Sequence, residues 1–177
     1  MMLKELLMEE HSGPRCELIA SLAIQNPRLL EELIQLSFSD EGALSRRAAW
    51  PLRKVHDRQP ELIKPYLGLF IGELSDLKSE SVLRTILSIL ARTAINEEYH
   101  GFMLSFCESK ILNANSSIAT VANCFDIYYN ISANEPDLLR ELDLMFDLFP
   151  PASSAGIKSK IRIIRRKMQK KSDSKSR

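Results

Sequence analysis

The chain has 177 residues, of which 45% are hydrophobic and 27% charged, and its formal net charge is +1. This suits one soluble globular domain that buries roughly 70% of its unfolded surface. Six glycines are few for the turns of a β-rich fold, so the composition leans towards helix.

The first segment, Met1 to Glu10, alternates apolar with charged residues and carries Glu5, Glu9 and Glu10. It lacks the basic start and uninterrupted apolar stretch of a secretory signal. Leu3, Leu6, Leu7 and Met8 instead make a short amphipathic piece able to cap a helical neighbour. The longest apolar run, Tyr66 to Leu74, is interrupted by Gly68, Gly72 and Glu73 and falls well short of the roughly 20 residues that cross a bilayer. Cys16, Cys107 and Cys124 are three in number, widely spaced and set among apolar residues. They read as buried reduced thiols, and together these features point to a cytoplasmic protein with no membrane partner.

Three segments repeat: Asn26-Pro27-Arg28-Leu29-Leu30-Glu31-Glu32-Leu33, Gln59-Pro60-Glu61-Leu62-Ile63-Lys64-Pro65-Tyr66 and Glu135-Pro136-Asp137-Leu138-Leu139-Arg140-Glu141-Leu142. Each sets a proline at the first helical position, where its missing N–H costs nothing, followed by apolar residues at i, i+1 and i+4 spacing. Asn96-Glu97-Glu98-Tyr99-His100-Gly101 stands where a degenerate fourth copy belongs, with Asn96 as its expected N-cap. Anchors at Pro27, Pro60, Glu98 and Pro136 are 33, 38 and 38 residues apart, which is one helical hairpin per repeat. The first helices are expected near 14–25, 43–58, 79–95 and 116–133. Their partners are expected near 27–37, 60–75, 97–112 and 136–148, with a last helix near 155–170. Loop residues such as Ser39-Asp40-Glu41-Gly42 and Pro150-Pro151 separate them.

In this register Ile19, Leu52, Leu90 and Tyr128 share one inward column, and Leu22, Val55, Thr93 and Ile131 the next. Pro51 falls inside 43–58. Either it bends that helix, or the helix starts near Arg47 with Pro51 in its first turn. Ile157, Ile161, Ile164 and Met168 form an apolar stripe that would cap the last hairpin.

Helix pairs of this length, with Ala48-Ala49-Trp50-Pro51-Leu52 in a first helix and Pro60-Glu61-Leu62-Ile63 opening its partner, resemble HEAT repeats. The resemblance covers roughly residues 14–150 and rests on loose motifs. Only one first helix has the bending proline, and the spacing of 33 is short for the family. Tetratricopeptide and ankyrin signatures are missing. The resemblance implies an all-α, right-handed α-solenoid of about four HEAT-like hairpins plus a C-terminal capping helix. Residues 1–156 would form the solenoid with its N-terminal cap, and residues 157–177 a basic capping helix with a frayed tail.

Sequence motifs for catalysis are scarce. His11, His56 and His100 sit in different repeats, and Glu97 with His100 makes a single Glu-x-x-His where di-iron sites use two. No phosphate-loop, dinucleotide or nucleophile-elbow motif occurs, so no cofactor, metal or catalytic residue is expected. Trp50 and the group Phe125, Tyr128 and Tyr129 read first as core and second as interface anchors.

Charge is the stronger signal. Ten basic residues against Asp173 make 157–177 +9, while 1–156 carries −8. The candidate basic patch is Lys158, Arg162, Arg165, Arg166 and Lys167. It is either the solvated face of a cap or a contact for phosphates or an acidic surface. A smaller group, Arg46, Arg47, Arg53, Lys54 and Arg58, lies on 43–58.

By analogy of fold, the second helices of a HEAT-like solenoid line a groove that binds protein or peptide. The candidate contacts are Glu31, Gln35, Lys64, Gly68, Ile71, Met103 and Arg140, with self-association as a further use. The main expectation is thus a non-catalytic interaction or scaffold module. The alternative is a nucleic-acid-binding protein similar to HEAT-like alkylpurine DNA glycosylases, for which Trp50 and Asp57 on one side of a helix would be the relevant pair.

Overall fold

A computed structural model describes residues 3–150 and 152–175, the side chains of 172–175 excepted. Pro151 of the expected Pro150-Pro151 turn and the end of the expected frayed tail lie outside those residues. All regular structure described is helical: α1 Leu3–Glu9, α2 Gly13–Gln25, α3 Pro27–Ser37, α4 Gly42–Arg58, α5 Leu67–Glu73, α6 Glu80–Leu90, α7 His100–Leu112, α8 Ile118–Ser132, α9 Pro136–Asp147 and α10 Ala155–Lys175. Short 3-10 turns at Pro60–Leu62, Lys64–Tyr66 and Glu97–Tyr99 complete the set. The chain divides into two compact units, one up to Thr93 and one from Ala94 onward.

Local chemistry starts these helices. Pro27 and Pro136 open α3 and α9 at the first helical position, as the repeat implies. The Ser12, Asn26, Ser79 and Ser117 side chains accept hydrogen bonds from the first-turn amides of α2, α3, α6 and α8. Asn96 departs from expectation. It makes no side-chain cap, because the segment enters α7 through a 3-10 turn closed by Tyr99 N–H to the Asn96 carbonyl.

The helix expected over 60–75 is broken up for a physical reason. Pro65 has no N–H to donate to the Glu61 carbonyl, so an α ladder cannot run through it. The chain makes two 3-10 turns, with Ile63 N–H on Pro60 O at 3.0 Å and Tyr66 N–H on Ile63 O at 2.9 Å, before α5 begins. Pro51, by contrast, lies inside an unbroken α4, so that helix starts at Gly42 and not near Arg47. The other first-helix exception is α6, which ends at Leu90 and leaves Thr93 beyond it.

In the first unit α4 is central, packing on α2, α3 and α6, while α1 covers α2, α3 and α4. Leu3, Leu6 and Leu7 are buried under that cover and Met8 is exposed. In the second unit α8 is central, packing on α7, α9 and α10. The expected column Ile19, Leu52, Leu90 and Tyr128 is buried throughout. Burying such side chains supplies about 1.5–3 kcal/mol each, which makes α4 and α8 the spines of their units.

Candidate functional site

The charge asymmetry of the sequence resolves within the second unit. Residues 94–156 hold nine of its ten acidic residues, and α10 brings most of its basic ones. The buried stripe Ile157, Ile161 and Ile164, continued by half-buried Met168, fixes which face of α10 turns inward. Two cations are thereby brought against acids of the neighbouring helices. Lys160 pairs with Asp126 of α8. Arg165 bonds Asp143 Oδ1 through Nε at 2.7 Å and Asp147 Oδ1 through Nη2 at 2.6 Å, with its guanidinium 5.5 Å from the Phe146 ring centroid. Those two carboxylates raise the Arg165 pKa further and keep the charge fixed.

The candidate basic patch therefore divides. Arg165 is committed to docking α10, and Lys167 lies 5.5 Å over the Tyr129 ring. Lys158, Arg162 and Arg166, at steps of four along α10, stay exposed. Beside them, α9, its following turn and α10 enclose a cleft of about 530 Å³. Phe146, Phe149, Pro150 and Ile161 give it an apolar floor, and Lys158, Arg162, Arg165 and Arg166 a basic rim. A second depression, of about 390 Å³, shares Phe149 and Pro150 with it and is lined by Leu112, Ile118 and Leu148. Those three side chains are 52%, 53% and 64% exposed. One surface of the second unit thus joins exposed aliphatics to an arginine row, offering apolar contact and positive charge side by side.

The other candidate residues fall in several places. Glu31, Gln35 and Lys64 are exposed in the first unit, where the Tyr66 hydroxyl donates to Glu31 Oε1 at 3.5 Å and Lys64 pairs with Glu61. Gly68 is half-buried, and Arg140 is exposed in the second unit beside Asp137. Ile71 and Met103 are corrections: at 2% and 0% exposure they belong to the core, because the apolar face of each helix is turned away from solvent. Of the α4 cations, Lys54 and Arg58 pair with Glu17, Arg53 with Asp57, and Arg47 with main-chain carbonyls of α1. Asp57 is held by Arg53 and Arg92, and the cleft at Trp50 is lined by other residues.

The family model for the HEAT repeat domain matches residues 3–168. The chain belongs to the HEAT repeat family. No curated protein matches it. The match reaches into both units and covers α10 as far as Met168. HEAT repeats commonly mediate protein interactions. No helix among the described residues is long and apolar enough to cross a membrane. Sequence reasoning found the arginine row but missed the aliphatic half of the surface. Leu112, Ile118 and Leu148 each stand beside a loop, at positions a helical periodicity assigns to neither face.

Proposed function

We propose that this HEAT repeat protein is a non-catalytic interaction module whose partner is an acidic protein segment carrying apolar side chains. The observation that carries the proposal is the α9–α10 cleft, with its aromatic floor, its rim of Lys158, Arg162 and Arg166, and the exposed Leu112–Ile118–Leu148 patch beside it. A bare phosphate backbone makes little use of exposed leucines, whereas an amphipathic peptide uses both halves. The exposed second-helix residues Glu31, Gln35, Lys64 and Arg140 offer further contacts on the two units. The buried, unpaired cysteines fit a reducing compartment, which supports a cytoplasmic setting.

The test is fluorescence anisotropy with three labelled probes: an acidic peptide alternating glutamate with leucine, its glutamine counterpart and a generic DNA duplex. Binding of the acidic peptide, weakened by Arg162→Glu and by Leu148→Ser, is the expected result. Duplex binding with a steep salt slope that ignores Leu148→Ser would transfer the site to nucleic acid. Sedimentation of the unliganded chain separates both outcomes from self-association.

A further inference from the structure

A second cleft, in the first unit, has a different character. It holds about 390 Å³ and lies between α4 and α6 beside the α1–α2 turn. Ala43, Arg46, Arg47 and Trp50 stand on one face of α4 at i, i+3, i+4 and i+7, and Ser81 and Thr85 face them from α6. A face with this spacing is usually filled by aliphatics where helices pack. Here it carries two guanidiniums and the chain's single tryptophan, and no carboxylate among the described residues lines it.

The side chains are set rather than loose. His11 meets the Trp50 ring edge-on, centroids 5.0 Å apart at 64°. Arg47 donates through Nη1 to the Leu7 and Met8 carbonyls at 3.1 and 2.8 Å, which fixes the guanidinium at the end of α1 while its other nitrogens make no such bond among the described residues. Those carbonyls belong to the last turn of α1, where a cation is favoured, so the charge is held by structure and not by an opposing acid. Arg46 is exposed and makes no ion pair among the described residues. Trp50 is half-buried, so part of its ring remains open in the cleft.

We infer that this cleft binds a small aromatic oxyanion, a single ring bearing a carboxylate or a phosphate. The ring would lie against Trp50 and the oxyanion would take hydrogen bonds from Arg46 and Arg47, as guanidinium geometry favours. The volume suits one ring with its acid group, being near the lower end of the range for ligand pockets, about 300–1,000 Å³. Both parts of the ligand are needed: a bare anion leaves the indole uncovered, and a neutral ring brings no negative charge to the two guanidiniums.

Trp50 makes the test direct, because it is the only tryptophan and its emission reports the cleft. The full chain is titrated with phenyl phosphate, benzoate, inorganic phosphate and benzyl alcohol, and with a short phosphotyrosine peptide. Saturable change with phenyl phosphate or benzoate, and little with inorganic phosphate or benzyl alcohol, is expected. Response to the peptide as strong as to phenyl phosphate assigns the anion to a protein side chain; response to the free compounds alone assigns it to a small molecule. Arg46→Ala should weaken binding about tenfold or more, the loss of one charge-assisted contact. Arg28→Ala, an exposed change on α3, should leave it unchanged. Equal response to inorganic phosphate, equal weakening by both variants, or no saturable change with any probe would overturn the assignment. Trp50→Phe followed by calorimetry guards against quenching without binding.

Discussion

His56 Nε2 lies 2.9 Å from Thr93 Oγ1, and that hydroxyl donates its own proton to the Ile89 carbonyl at 2.9 Å. The imidazole must therefore be the donor to Thr93, and its Nδ1 sits buried without a hydrogen-bond partner among the described residues. Burial lowers the His56 pKa below its ordinary 6.5, with Arg92 and Arg53 adding to the effect and Asp57 opposing it. Protonation would place a second N–H where nothing accepts it. A group whose folded pKa is depressed contributes stability above its unfolded pKa, and loses it as pH falls through the folded value. The urea midpoint should hold steady above pH 6.5 and fall below it, as the unfolding free energy drops by up to about 1.4 kcal/mol per pH unit. His56→Leu should flatten that fall. The Asp40 and Glu61 carboxyls, held below their ordinary 3.8 and 4.5 chiefly by hydrogen bonds from Lys78 and Lys64, act only in stronger acid. A midpoint unchanged as pH falls well below 6.5 would refute the account.

Helix starts provide a differential test. Ser117 Oγ accepts from Thr120 N–H at 3.2 Å, whereas the Asn96 side chain makes no cap bond. Ser117→Ala should cost about 1 kcal/mol in chemical denaturation, and Asn96→Ala should stay within about 0.5 kcal/mol. Equal losses would mean that the 3-10 entry to α7 is supported by Asn96 in some other way.

These caps show what was legible beforehand and what was not. Pro27 and Pro136 marked true helix starts because a first-position proline needs no tertiary context. Pro60 misled for the same local reason applied twice, since Pro65 denied the helix its fifth-residue bond. The Ile157–Ile161–Ile164 stripe identified the inner face of α10, but not its acidic counterparts. Asp126 lies 34 residues from Lys160, and no local pattern announces that pairing. Periodicity likewise gave Trp50 an inward position. It could not show that the facing residues on α6 would be Ser81 and Thr85, beside which the indole is only partly buried.

Arg165 and its neighbours separate fold from function on one helix. Arg165 is 40% exposed, with Asp143 and Asp147 at 48% and 65%, so solvent screens the pairs heavily. Arg165→Ala should cost no more than about 1 kcal/mol, and less in high salt. Arg162→Ala and Arg166→Ala should change stability by less than about 0.5 kcal/mol while removing much of the acidic-peptide affinity. Thermal melts at two salt concentrations, run beside the peptide titration, check both halves. If Arg162→Ala destabilised as much as Arg165→Ala, the arginine row would be structural.

The thiols report local opening. Cys16 is pushed up to about 11 by burial, with Lys54 opposing and Glu17 adding slightly. Cys107 is raised by its hydrogen bond with Cys124 and by burial on all sides. At mildly alkaline pH, Cys16 then presents very little thiolate, so a disulfide reagent should react slowly with the native chain and with all three thiols once urea unfolds it. Cys16 N–H bonds the Ser12 carbonyl at 3.0 Å in the first turn that the Ser12 hydroxyl caps. Ser12→Ala, which loosens that turn, should speed labelling of Cys16 more than of Cys107 or Cys124. Ser117→Ala should do the reverse, because Cys124 lies on the helix that Ser117 caps. Mass spectrometry of quenched time points reads the three sites separately. Uniform acceleration in both variants would show that only global unfolding exposes these thiols, and rapid stoichiometric labelling of the native chain would contradict their burial.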